Sequence, residues 1–237
     1  RRGHSVTVYE RSDRPGGLLT YGIPNMKLDK RVVERRIRLM EAEGVRFVTE
    51  TPIDTAEAAD ALRRENDAVV LCCGANRPRD LNLPGRDAQG VHFAVEFLTA
   101  ATKRLLDGAP AIDAKEKQVV IVGGGLAGTE AALELAMQGK QVTLVEMGID
   151  VARDANSIHK PALMMELKDH AEQVTILRRT TCTGIHDHGI VCRDADGREL
   201  TLDADTVILA AGMAPLRAEA LALEPVSSEF RMVGDCK

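Results

Sequence analysis

Three glycines, Gly123, Gly125 and Gly128, fall in the spacing G-x-G-x-x-G, and an acid, Glu146, follows 18 residues after the last of them. These residue types at this spacing suit one kind of chemistry, the holding of a dinucleotide. Gly123 permits a tight turn, Gly125 lets backbone approach a pyrophosphate, and Gly128 lets a helix pack close to a strand. Leu126 and Ala127 stand at the loop–helix junction, where free N–H groups and the positive dipole end face a phosphate. Glu146 is placed to accept a hydrogen bond from a ribose hydroxyl. Glycines alone would be weak grounds, since any glycine-rich α/β turn supplies them. Their setting is more specific. An apolar, β-branched run at 119–122 precedes them, helix formers at 131–137 follow, and Gly139 stops the helix. A second apolar run at 142–145 then leads to the acid. The order is strand, glycine turn, helix, strand, acid.

An earlier stretch repeats half of that pattern. Residues 3–10 read GHSVTVYE and residues 139–146 read GKQVTLVE, a glycine turn and then a strand ending in Glu10 or Glu146. In the second copy Gly123 precedes the acid by 23 residues. The matching glycine of the first copy is therefore expected upstream of Arg1, together with its strand and most of its helix. A second glycine pair, Gly16 and Gly17, follows Glu10 closely and suits backbone passing near a bulky ligand. Between the copies the spacing predicts an amphipathic helix over 30–43, a strand over 45–48 and a helix over 55–65. It also predicts a buried strand over 67–74 and a loop and helix over 90–108. A linker over 109–117 follows. Beyond Glu146 it predicts a helix over 159–169, a strand over 174–177, a hairpin turning at Asp196-Gly197 with type I′ geometry, and a buried strand over 206–212.

At 237 residues, 44% hydrophobic and 28% charged, the chain has the make-up of a globular protein of one large or two small domains. A net charge of −5 gives no general attraction to nucleic acid or anionic membranes. No apolar run approaches the roughly 18 residues of a membrane span. The five cysteines are odd in number and none forms C-x-x-C, which argues against a disulfide framework, a zinc ribbon or a thioredoxin-like pair. Cys72 and Cys73 lie in an apolar run and read as buried, inert thiols in a reducing cytoplasm. His159, His186 and His188 have no ligand spacing and read as surface histidines, so no metal site is expected.

From Glu10 onward the chain resembles a family. The run YERSDRPGGLLTYGIPNMKLDKRVVERRIRLMEAEGVRF looks like the flavin-binding part of the glutamate synthase small subunit. That resemblance implies that Glu10 holds the adenosine ribose of FAD, with Arg11 beside it. It also implies that Gly16, Gly17 and Leu18 lie against the flavin side. The run DAVVLCCG at 67–74, followed by RPRDLNLPG at 77–85, resembles the motif with which the family ends a strand and turns at Gly74 toward the other domain. Ala210-Ala211-Gly212 is similar to a second such turn. Gly234-Asp235 resembles the motif in which the aspartate bonds the ribityl chain of FAD. Past Glu146 the likeness shifts to the second dinucleotide domain of 2-enoate and 2,4-dienoyl-CoA reductases.

Both families share paired Rossmann-like domains. The expected fold is therefore α/β, with a nicotinamide domain at 109–213 inserted in a flavin domain made of 1–108 and 214–237. The expected activity is that of a cytoplasmic, FAD-containing NAD(P)H oxidoreductase passing hydride from nicotinamide to flavin and electrons to a partner subunit or domain. The alternative is a non-catalytic module that binds NAD(H) but not FAD. A dehydrogenase acting directly on an alcohol fits poorly, because neither Tyr9 nor Tyr21 is followed by Lys at the fourth position. Glu146 favours NADH by repelling a 2′-phosphate, while Arg153 leaves NADPH open. Glu130 has two readings: a group reaching toward the nicotinamide, as the resemblance implies, or a capping carboxylate favoured by the helix dipole. No catalytic acid or base is named, since the cofactors supply the chemistry.

Overall fold

The structure, a computed structural model, describes residues 3–75, 77–110, 112 and 118–222. The chain forms two compact units, Arg1–Cys73 and Gly74–Lys237.

In the first unit, β1 (Thr7–Tyr9) lies parallel to a later strand, with α1 (Leu18–Tyr21) and α2 (Lys30–Ala42) between them. That later strand is β2 (Arg46–Val48), with Tyr9 opposite Val48, and α3 (Ala56–Glu65) follows. Asp29 starts α2 by accepting the Arg31 N–H, and Thr55 starts α3 by accepting that of Ala58. Helices α2 and α3 and strand β2 stand where the spacing predicts them, and β1 where the repeat does, while α1 is additional. The arginines of α2 are solvated, as expected, but Lys30 is 5% exposed. Its ammonium donates to the carbonyls of Leu19 at 2.9 Å and Ile23 at 2.6 Å, which ties α2 to the end of α1.

The run at 67–74 is not a strand. Val70 is 77% exposed, and Cys72 and Cys73 are exposed rather than buried. A strand apolar on both faces needs a hydrogen-bonded neighbour. The sheet of this unit holds only β1 and β2 among the described residues, and neither pairs with this run.

The second unit opens with β3 (Arg77–Pro78), β4 (Val91–Phe93) and α4 (Ala94–Asp107). The central stretch is β5 (Gln118–Val122), α5 (Leu126–Met137) and β6 (Gln141–Val145). Then come α6 (His159–Asp169), β7 (Val174–Leu177), β8 (Thr181–His186), β9 (Gly189–Arg193) and β10 (Glu199–Asp203). The unit ends its described part with β11 (Thr206–Leu209), β12 (Met213–Ala214) and α7 (Arg217–Leu221). Five parallel strands make one sheet in the order β4-β11-β5-β6-β7. Val122 lies opposite both Val145 and Leu209, so the loops after β5, β6 and β11 leave the same edge.

Burial explains the apolar runs. Val119, Val120 and Ile121 are at most 1% exposed, because both faces of the sheet are covered. Val120, Val122, Val207 and Leu209 pack with Cys182, Ile185, Ile190 and Cys192 of the antiparallel sheet β8-β9-β10. Helix α5 is buried on nearly every side, from Gly128 through Ala136.

Within the second unit, β4 pairs with β11 and α4 packs against α5. One expectation changes here. The hairpin around Asp196-Gly197 is not a two-residue turn. Arg193 pairs with Glu199, leaving five residues between them. The Asp194 carboxylate accepts the N–H groups of Asp196 and Arg198, so one side chain organises a longer loop.

Cys182 and Cys192 are cross-strand neighbours, 8% and 0% exposed. The Cys192 thiol donates to Cys182, and that bond together with burial pushes its pKa up. Alkylation of the native protein is therefore expected to mark Cys72 and Cys73 well before Cys182 and Cys192. Peptide mass mapping checks this, and equal labelling of all four would refute the packing described.

Candidate functional site

The glycine loop joins β5 to α5, and each glycine answers a different constraint. An added Cβ at Gly123, where φ is 112°, would stand 2.5 Å from the carbonyl oxygen of Ala210. At Gly128 it would stand 1.9 Å from the carbonyl oxygen of Gly123. These two positions are closed by the protein itself. At Gly125 the nearest atoms are the carboxylate oxygens of Asp154, at 3.8 and 3.9 Å. Gly125 thus leaves an open face of backbone at the start of α5.

Glu146 is 8% exposed and clasps the loop. One carboxylate oxygen accepts the Gly124 N–H at 2.7 Å, the other that of Gly148 at 2.6 Å. Gly124, Gly125, Glu146, Arg153 and Asp154 line a hollow of about 190 Å³. The Arg153 guanidinium carbon lies 3.5 Å from the point where a side chain on Gly148 would begin. A wider depression of about 590 Å³ runs along Asp80–Ala88 beside Asp187. It is open and acidic, its Arg86 is paired to Asp80, and it has no glycine loop or helix start. The smaller hollow carries the recognisable chemistry.

Glu130 belongs to the second turn of α5, which begins at Leu126, and it is 5% exposed. It is therefore not a solvated cap. Its carboxylate meets the His159 Nε2 at 2.9 Å, at the first residue of α6. His159 is thus not an ordinary surface histidine. The partnership is invisible in sequence because 29 residues separate the two. His186 is also partly buried, with an Nε2 that meets no partner among the described residues.

The first unit repeats the clasp. Glu10 N–H donates to Val48 O at 2.9 Å, and Glu146 N–H donates to Leu177 O at 2.8 Å. Ser12 N–H donates to the Glu10 carboxylate at 2.9 Å, as Gly148 does to Glu146. Gly3 and Gly139 both have positive φ, 82° and 76°. The internal repeat seen in the letters is a repeat of hydrogen bonding, and it puts an oriented carboxylate at the end of each strand. Of the following pair, Gly16 is closed by the Thr20 hydroxyl, while Gly17 faces open space at φ 52°. Leu18 is exposed and Arg11 is exposed.

Gly74 and Gly212 have φ of 62° and 89° with nothing within 4 Å of an added Cβ. The strands just past them, β3 and β12, pair antiparallel, and Arg79 N–H donates to Gly212 O. The two similar turns therefore lead into opposite ends of one short ladder. Pro84 and Gly85 serve packing: Ile185 N–H donates to Pro84 O, and a Cβ on Gly85 would stand 1.9 Å from Ile185 O. Gly234 and Asp235 lie outside the described residues. Among the described residues no helix is long and apolar enough to cross a membrane.

A family model described as pyridine nucleotide-disulphide oxidoreductase matches residues 1–225. The NADPH glutamate synthase small chain of Bacillus subtilis is 54% identical over 145 residues, 59% of this chain and 29% of its own length. The NADH glutamate synthase of Schizosaccharomyces pombe is 52% identical over 136 residues, 55% of this chain and 6% of its own. The NADPH glutamate synthase small chain of Mycobacterium tuberculosis is 35% identical over 246 aligned residues, 92% of this chain and 50% of its own. The chain thus spans half or less of these relatives. A 2-naphthoyl-CoA reductase structure superposes with a TM-score of 0.79 at 26% identity, covering 99% of this chain and 34% of that one.

Proposed function

Because the chain belongs to the pyridine nucleotide-disulphide oxidoreductase family, we propose that it is the dinucleotide-handling part of an FAD-dependent NAD(P)H oxidoreductase. In that role bound flavin would accept hydride from the nicotinamide, and electrons would go on to a partner subunit or domain. The observation that carries this reading is the glycine loop with its open Gly125 and its clasping Glu146.

The residues fit a nicotinamide dinucleotide. Gly125 and the first N–H groups of α5 receive the diphosphate, and Glu146, already fixed by Gly124 and Gly148, takes a ribose hydroxyl. Glu130, held by His159, is the group nearest in the sequence pattern to the nicotinamide. The matching clasp at Glu10 supports the adenosine ribose of FAD there, with Arg11, Gly16, Gly17 and Leu18 along the cofactor. Gly74, Gly212, Gly234 and Asp235 complete that set by resemblance. FAD, when bound, supplies the hydride acceptor. The protein's part is to orient, to exclude water and to set charge. Relatives are named for either nicotinamide, and the Glu146 carboxylate favours NADH here. Relatives named as a small chain support a larger electron-accepting partner.

The test is titration of the protein, purified with added FAD, with NADH and NADPH. Bound flavin that loses its visible absorbance on NADH addition, with NADH bound more tightly than NADPH, is the expected result. NADH binding without flavin binding would replace this reading with that of a non-catalytic nucleotide-binding module.

A further inference from the structure

The segment after β6 folds back over the glycine loop. Val151 and Ala152 are fully buried, and Ala152 N–H donates to Gly124 O at 2.7 Å. Ala152 holds a left-handed φ of 48°, which turns the next two residues across the start of α5. Behind them the segment is pinned by Lys160 on Asp150 at 2.6 Å and by Arg179 N–H on Gly148 O at 2.8 Å. Arg153 and Asp154 themselves are exposed. One Asp154 oxygen accepts the Leu126 N–H at 2.8 Å, and both oxygens stand over the bare backbone of Gly125.

We propose that Asp154 is an internal occupant of the diphosphate site, a carboxylate on a strap that an incoming dinucleotide must displace from Leu126 and Gly125. This rests on the reading of the loop given under Proposed function. The carboxylate takes a first-turn N–H and carries the charge that a helix N-terminus attracts, so it satisfies what a phosphate oxygen at that N–H would satisfy. A phosphate and this carboxylate cannot share the same N–H, and at this separation their charges repel. The strap therefore lowers apparent affinity by the fraction of molecules in which it is closed. It also keeps the loop ordered before ligand arrives. Only the exposed Arg153–Asp154 pair has to move, since the anchors at Ala152 and Asp150 lie outside the site.

The measurement is calorimetric titration of NADH into the wild-type chain and into Asp154→Ala and Asp154→Asn, with thermal melts of each. Asp154→Ala is expected to bind NADH about fivefold to tenfold more tightly, the worth of one helix-capping carboxylate. Its melting temperature without ligand should fall, and its NADH-induced rise should grow. Asp154→Asn keeps the shape without the charge and should tighten binding by a smaller factor. Binding by Asp154→Ala where wild type shows none would support the strap still more directly. Wild-type binding that neither variant improves overturns the strap and leaves the proposed function standing. No NADH binding by any of the three overturns both.

Discussion

Gly128→Ala is expected to destabilise the second unit by about 3 kcal/mol and to remove dinucleotide binding along with it, the top of the range for overpacking. Two effects oppose each other. Alanine in a helix interior gains about 1 kcal/mol over glycine. Against that, its Cβ would lie 1.9 Å from the Gly123 carbonyl oxygen and 3.0 Å from Ala210 Cβ. Backbone on one side and the short, half-buried side chain of Ala210, just past β11, on the other leave no flexible side chain to yield. Either α5 lifts off β5 or the turn at Gly123 opens, and both uncover residues that are almost fully buried, among them Thr129, Ala131 and Leu133. The clash therefore wins. Urea unfolding of the variant beside wild type measures the loss. An unchanged midpoint would mean that helix and strand are not packed as described.

The elements around that glycine were legible for a physical reason. The runs at 119–122 and 142–145 are buried on both faces, so nearly every position had to be apolar, and the letters show it. Glycine positions were legible only as a pattern. Which glycine is closed by Ala210, which by Gly123 and which stands open depends on how the backbone folds, through an atom 87 residues away in one case and five in another. The Glu10–Glu146 repeat was legible because the same local clasp recurs, an acid bonded two residues ahead and to the neighbouring strand. The run at 67–74 misled because apolar letters report a capacity to be buried, and a strand needs a partner as well. Glu130–His159 and Leu126–Asp154 could not be read at all. Each joins residues more than 25 apart through one hydrogen bond, and histidine or aspartate in such places has many ordinary uses.

Gly125→Ala should behave in the opposite way to Gly128→Ala: no measurable change in folding, and at least about tenfold weaker binding of NADH, or about 1.4 kcal/mol. Gly125 has φ −62° and ψ 179°, which alanine adopts without strain. Its added methyl would meet no protein atom closer than the Asp154 carboxylate at 3.8 Å, an ordinary contact. The methyl would instead occupy the space through which diphosphate reaches the first N–H groups of α5. A loss of binding at constant stability separates a glycine kept for a ligand from one kept for packing. Calorimetry with NADH and urea unfolding on the same preparation decide it. If the variant binds as wild type does, the diphosphate does not cross Gly125, and the dinucleotide assignment of this loop falls. If it unfolds as readily as Gly128→Ala, the open face at Gly125 is wrong. Combining Gly125→Ala with Asp154→Ala then sorts the two obstacles at one site. Removal of the carboxylate should raise affinity in the Gly125 background by less than in wild type, because the methyl obstructs the approach whether or not the strap is closed.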